Sequence, residues 1–186
     1  MQKLEINVQT RDDMIQLGKR IAHTLRGRDV VLLSGPLGAG KTTLAKGIGE
    51  GMRIAEDIVS PTFTISRELQ GVLQGGSKAR LIHVDAYRIG GALLSDVENI
   101  DTLILDQLES LGLDEEIEEP SQNTVVLMEW GERFVTSLAP QRLEIYISRP
   151  LSNTANSEQT LSDEGTRIVT IVPVGESWQK RELAQE

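Results

Sequence analysis

The sequence predicts an α/β protein with a mostly parallel central sheet flanked by helices and antiparallel hairpins at the margins. Three observations predict it. Val30-Val31-Leu32-Leu33-Ser34 and Thr124-Val125-Val126-Leu127-Met128-Glu129 are short, continuously apolar runs of the kind found in strands buried on both faces. Such runs alternate along the chain with stretches whose apolar residues recur at helical spacing. Directly after the first run comes Gly35-Pro36-Leu37-Gly38-Ala39-Gly40-Lys41-Thr42, which matches the phosphate-binding loop pattern G-x-x-x-x-G-K-[ST] without a mismatch.

Taken in order, Leu4, Ile6 and Val8 alternate with polar residues and predict a strand over 3–9. Thr10 precedes Arg11-Asp12-Asp13, an N-cap followed by an acidic first turn. Met14, Leu17, Ile21 and Leu25 then continue a helix to about residue 26. The loop at 35–42 opens a second helix that ends near Gly49-Glu50-Gly51. Residues 58–69 begin as a loop and become a strand, Gly71 and Gly75-Gly76 mark a hairpin connection, and Arg80 to Asp85 returns. Leu103, Ile104, Leu108 and Leu111 predict a helix over 100–113, and the acidic run Asp114 to Glu119 a solvated helix end or loop. After the strand at 124–129, Arg142 to Ser148 alternates as another strand, as does Arg167 to Val172. The polar segment 149–165 reads as a mobile loop and 176–186 as a C-terminal helix. With no internal repeat, residues 1–186 read as a single P-loop NTPase domain.

The loop explains its own residue types. Glycines at 35, 38 and 40 let the backbone curl and turn its N–H groups inward towards an anion. The helix that follows adds unpaired N–H groups and the positive end of its dipole. Lys41 supplies a full charge for the β- and γ-phosphates of a nucleoside triphosphate, and Thr42 offers a hydroxyl oxygen to Mg²⁺.

Composition narrows the rest. The chain carries 28 acidic and 19 basic side chains, a net charge of −9, which argues against a protein that grips nucleic acid by itself. It has no cysteine, so disulfides, zinc–thiolate sites and cysteine nucleophiles are excluded. The start, Met1-Gln2-Lys3-Leu4-Glu5, has no apolar signal core, and no stretch has the length of a membrane span. A cytoplasmic protein without a membrane partner is the expectation.

Hydrolysis needs a carboxylate to hold Mg²⁺ and a group to place water. Asp85 and Glu129 close two apolar strands, where such carboxylates stand, and each reads as a functional carboxylate or as a strand-end acid facing solvent. His83 lies two residues before Asp85 and so shares its face; it reads as a catalytic group or as a buried, hydrogen-bonded histidine. Arg88 reads as a charge neutraliser or a local ion pair. Trp130 reads as a core anchor or a ring beside the nucleotide. The segment Ser60-Pro61-Thr62-Phe63-Thr64 reads as a γ-phosphate sensor or a plain loop-to-strand junction.

Four blocks together resemble the bacterial TsaE family, also called YjeE: Gly35 to Thr43; Ser60-Pro61-Thr62-Phe63-Thr64; His83-Val84-Asp85-Ala86-Tyr87-Arg88; and Glu129-Trp130-Gly131-Glu132. The resemblance covers roughly residues 5 to 148. It implies a protein that binds ATP and Mg²⁺, hydrolyses ATP slowly alone, and supports TsaD and TsaB. TsaD transfers a threonylcarbamoyl group to the adenosine beside the anticodon, so tRNA is met only indirectly. Carried over, Leu37, Gly38, Ala39, Gly40, Lys41, Thr42 and Thr43 wrap the phosphates, and Lys41 also serves catalysis. Thr42 and Glu129 hold Mg²⁺, and Asp85 supports hydrolysis. Trp130 lies by the nucleotide and the partner surface, Ser60–Thr64 acts as a switch-like loop, and Thr10 or Arg11 touches adenine. Three regions depart from the family: the long link Gly90 to Gln107, the long loop 149–165, and the tail after Gly175. A small-molecule kinase on the same fold is the alternative, but no Arg-rich lid segment is present. No Asn-Lys-x-Asp segment is present to read guanine either.

Overall fold

The computed structural model describes residues 3–61, 64–87, 100–131, 135–150, 165–179, 181 and 183. Its strands are β1 (Leu4–Val8), β2 (Asp29–Ser34), β3 (Ser66–Val72), β4 (Lys78–Asp85), β5 (Thr124–Glu129), β6 (Arg142–Ser148) and β7 (Arg167–Val174). Its helices are α1 (Arg11–Thr24), α2 (Lys41–Gly51), α3 (Ile100–Ser110), α4 (Leu113–Glu118), α5 (Val135–Leu138) and α6 (Glu176–Gln179). The seven strands form one sheet in the order β1-β7-β6-β2-β5-β4-β3.

The parallel part is the central block. β2 pairs parallel with both β5 and β6, and β5 pairs parallel with β4. The β3–β4, β6–β7 and β1–β7 pairs are antiparallel. The sheet is therefore evenly mixed by pairing, with three parallel and three antiparallel pairs and the antiparallel ones at its margins, rather than mostly parallel as expected. The predicted β3–β4 hairpin is present: Leu73 N–H donates to Ser77 O (2.9 Å), and Gly75 and Gly76 hold positive φ of 101° and 85°.

Strand alternation sorts the core into two layers. Val31, Leu33, Leu81, Val125, Leu127 and Ile145 face Leu17, Ile21, Leu44 and Ile48 of α1 and α2. Val30, Leu32, Ile82, Val84, Val126 and Met128 face the opposite layer of Leu108, Leu113, Ile117 and Val135. By the same count His83, Asp85 and Glu129 lie on the α2 side. α1 and α2 approach closely because glycines line the seam. A Cβ on Gly47 would stand 2.2 Å from Ile15 O, and one on Gly18 2.5 Å from Leu44 O. At those positions any side chain forces the helices apart.

Several elements differ from expectation. The helix over 100–113 ends at Ser110, and Gly112, at φ 63°, starts the separate α4. The acidic run is thus largely helical: Asp114, Glu115 and Glu116 occupy the first turn of α4, favoured by its dipole, while Leu113 and Ile117 are buried. α5 was not predicted; its four residues are too few for a periodic signal. Of the C-terminal helix expected over 176–186, the described part is α6, and residues 180, 182 and 184–186 lie outside the described residues. Arg181 has its guanidinium 3.9 Å from the Trp178 ring and is ion-paired to Asp29. The 149–165 reading falls mostly on 151–164, which lies outside the described residues, as do Arg88, Thr62, Phe63, Glu132 and most of the 90–107 link. Among the described residues, no helix is long and apolar enough to cross a membrane.

Candidate functional site

The C-terminal ends of β2, β4, β5 and β6 meet at one edge of the sheet, where open α/β sheets bind ligands. The glycine-rich turn leaves β2 there. Gly35, Gly38 and Gly40 all have positive φ, at 143°, 70° and 111°. Gly35 is doubly required, since a Cβ there would meet Ile147 O at 2.3 Å. Gly40 caps α2 and has no side chain to accept a hydrogen bond from the helix N-terminus.

Lys41 is buried beneath the loop. Its Nζ donates to Gly35 O (2.7 Å) and Pro36 O (3.1 Å) and lies 3.9 Å from the centroid of the Trp130 ring. Trp130 holds this position from a left-handed backbone, φ 64°, and its ring also meets that of Tyr87 at 5.5 Å. A non-glycine residue in that region carries strain and marks a functional loop end. Gly131 follows because a Cβ there would meet Met128 Sδ at 2.2 Å.

The two carboxylates arrive together. Asp85 and Glu129 are register partners at the ends of β4 and β5, and each is 2% exposed. Asp85 accepts from Ser60 Oγ (2.8 Å) and from the Tyr87 N–H (3.0 Å). Glu129 Oε1 lies 3.0 Å from His83 Nε2, with His83 fully buried. Ser60, Asp85, Tyr87 and Glu129, with Leu37, Gly38, Gly40, Lys41, Thr42, Thr43 and Trp130, line a cavity of about 470 Å³. That volume is in the range of small-molecule sites.

A second, narrower cleft continues on the far side of the loop and is lined by Thr10, Arg11, Met14, Ala39, Gly165 and Arg167. It shares Gly38, Gly40 and Thr43 with the main cavity, so the two lie on either side of the loop. Thr10 has a structural duty there. Its Oγ1 accepts from the Asp13 N–H (3.1 Å), and its own N–H donates to Asp13 Oδ2 (2.9 Å), a capping box for α1.

Of the residues that the sequence pointed to, Thr10, Arg11, Leu37 to Thr43, Ser60, Asp85, Glu129 and Trp130 line the cavity or the cleft, His83 lies behind Glu129, and Arg88, Thr62 and Phe63 fall outside the described residues. Sequence reading missed two arginines. Arg149 Nη2 donates to Gly38 O (2.7 Å), and Arg167 Nε donates to Ala39 O (3.3 Å). A loop whose N–H groups point inward must turn carbonyls outward, and these guanidiniums satisfy them. Ser60 opens the segment that reads as a γ-phosphate sensor or a loop-to-strand junction, and its hydroxyl donates to Asp85. His83 resolves to a buried, hydrogen-bonded histidine whose partner is Glu129 rather than Asp85.

A divalent cation fits this donor set in one way. Among the described residues, no group of three or more His, Cys, Asp or Glu side chains could hold a metal. What the cavity offers is a hydroxyl and carboxylate oxygens, the few hard ligands that suit Mg²⁺ when phosphates and water complete its shell.

Fold and site define an α/β protein with a glycine-rich, lysine-bearing anion loop facing two buried carboxylates. The family model described as threonylcarbamoyl adenosine biosynthesis protein TsaE matches residues 8–158, and the chain belongs to the TsaE family. Among its relatives, a tRNA threonylcarbamoyladenosine biosynthesis protein TsaE of Streptomyces coelicolor is 39% identical, over 89% of this chain and 93% of the relative. The protein of the same description from Bacillus subtilis is 35% identical over 80% of each. The crystal structure of Bacillus subtilis YdiB superposes with a TM-score of 0.61 at 26% identity, covering 96% of this chain and 90% of YdiB.

Proposed function

We propose that this chain is the Mg²⁺-dependent ATPase of the machinery that installs threonylcarbamoyladenosine in tRNA, built on a P-loop NTPase fold. The observation that carries the proposal is the convergence of Lys41, Thr42, Asp85 and Glu129 on one cavity at the loop. Membership of the TsaE family supplies the pathway.

In this reading the loop N–H groups and the start of α2 bind the phosphate chain, and Lys41 exchanges its bonds to Gly35 O and Pro36 O for phosphate oxygens. Thr42 and Glu129 hold Mg²⁺, which neutralises charge on the transferring phosphoryl group when bound. Asp85, fixed by Ser60 and the Tyr87 N–H, orients the attacking water. The cleft beside Thr10 and Arg11 takes the base, and Trp130 closes the phosphate end. TsaD and TsaB are the partners whose turnover the ATPase supports, in the cytoplasm, and they hold the tRNA. The acidic net charge of −9 supports that division of labour.

The test is ATP hydrolysis by the purified chain, alone and with TsaB plus TsaD. Slow turnover that the pair stimulates is expected. ATP binding without stimulation would sink the pathway assignment. Phosphoryl transfer to an acceptor in place of water would replace it with a kinase.

A further inference from the structure

We infer that His83 is the positioning residue for Glu129, holding that carboxylate in the one orientation that serves the metal. The inference rests on the reading of Glu129 as a Mg²⁺ ligand. Both side chains lie on the α2 face of the sheet, on neighbouring strands, and both are essentially inaccessible, at 0% and 2% exposure. Their contact at 3.0 Å is the hydrogen bond that Glu129 makes among the described residues. A carboxylate only accepts, so the pair is satisfied when the imidazole carries its proton on Nε2 and donates it to Oε1. His83 Nδ1 is buried with no partner among the described residues, which suits a bare lone pair there better than an N–H.

The two cavity carboxylates are held by different means, and that difference assigns the role. Asp85 has a short side chain, fixed by Ser60 and a backbone N–H. Glu129 has one more rotatable bond, so freezing it costs more rotamer entropy than freezing an aspartate. A rigid ring beneath it meets that cost at folding, before any metal arrives. Removing the ring would leave Oε1 a buried acceptor without a donor and let the carboxylate turn away from the cavity. Outer donors of this kind typically change metal affinity by about 10- to 100-fold.

The experiment is Mn²⁺ binding to the full chain in the presence of ADP, read by electron paramagnetic resonance, beside ADP binding without metal. The amide nitrogen of glutamine falls near imidazole Nε2, whereas that of asparagine falls near Nδ1. His83→Gln is therefore expected to keep Mn²⁺ affinity within about threefold, and His83→Asn to lose about tenfold or more, with metal-free ADP affinity equal in both. Equal Mn²⁺ affinity in the two variants, or an equal loss of metal-free ADP binding, overturns the inference. Glu129→Ala separates the layers. If it leaves Mn²⁺ affinity intact, the metal-ligand reading itself fails. If it weakens Mn²⁺ while both His83 variants match the parent, only the positioning role fails. In the unsubstituted protein, long-range ¹H–¹⁵N spectra should place the His83 proton on Nε2. A proton on Nδ1 alone overturns the contact without any variant.

Discussion

The two ends of β2 treat charge in opposite ways. At its start, Asp29 is buried and receives two bonds from Arg181, at 2.5 and 2.9 Å, and a third from the Arg26 N–H at 2.7 Å. Arg181 in turn stacks on the buried Trp178, so charge, hydrogen bonds and apolar packing close on one another. Beyond the other end of β2, two carboxylates stand side by side on β4 and β5, a lysine is folded under a glycine-rich turn, and a tryptophan holds a left-handed backbone. The first end is complete as folded. The second, in the proposed function, is completed by phosphate and a cation. The same sheet thus separates stability from function along one strand, and substitutions at the two ends should separate the same way.

The largest effect is expected at the closed end. Removing one member of a buried ion pair strands the other, at a cost of about 3–5 kcal/mol. Arg181→Ala should lower Tm by roughly 10 °C. ATP affinity, measured by titration below the new Tm, should stay at the parental value. A large loss of ATP affinity would mean that the two ends are coupled. At the open end the pattern inverts. Lys41→Ala should weaken ATP binding by about 100-fold or more, since several charge-assisted bonds of about 1.5–3 kcal/mol each go with it. Its thermal stability should hold or rise, because a buried ammonium is no longer desolvated. A steep fall in Tm would reclassify Lys41 as structural.

How far the sequence reveals each end follows from chain separation. The loop is local: strand, glycines, lysine and helix fall within Val30 to Ile48, so the pattern alone places them. Asp85 and Glu129 are legible because each closes an apolar strand, and parallel pairing brings strand ends together. The contacts that complete the site are long-range. Arg149 and Arg167 meet the loop over separations of 111 and 128 residues. They arrive there only because β6 ends, and antiparallel β7 begins, at the loop edge. The link from His83 to Glu129, 46 residues apart, needs the β4–β5 register, since the shared face alone pointed to Asp85. The docking of Arg181 on Asp29 spans 152 residues and has no periodic signature. Local chemistry was readable, and pairing across the sheet was not.

A finer test contrasts two aspartates. Asp13 caps α1 beside the cleft, and its hydrogen bonds with Thr10 hold its carboxyl below the usual value of 3.8. Asp29 moves the other way: burial raises it above 3.8, and the bonds from Arg181 only partly offset that. For Asp13, the stability contribution is present above 3.8 and is lost as pH falls through its folded value. For Asp29, the contribution is fully present below 3.8 and is lost as pH rises through its folded value. Thr10→Ala should therefore lower Tm by about 2–4 °C at neutral pH, with the deficit shrinking as pH drops below 3.8. Its ATP affinity should stay within about threefold; a tenfold loss would assign the hydroxyl to the ligand as well as the cap.

Asp29→Asn should carry the opposite slope and the smallest signal. Its deficit against the parent should be greatest near and below 3.8 and should narrow as pH rises, because the ionised parent bears a burial cost that the amide does not. Urea unfolding of parent and variant across the acid range up to neutrality measures it. A deficit that widens with rising pH would mean that Arg181 outweighs burial, and the closed end would then owe its stability at neutral pH to the charge pair more than to the packing around Trp178.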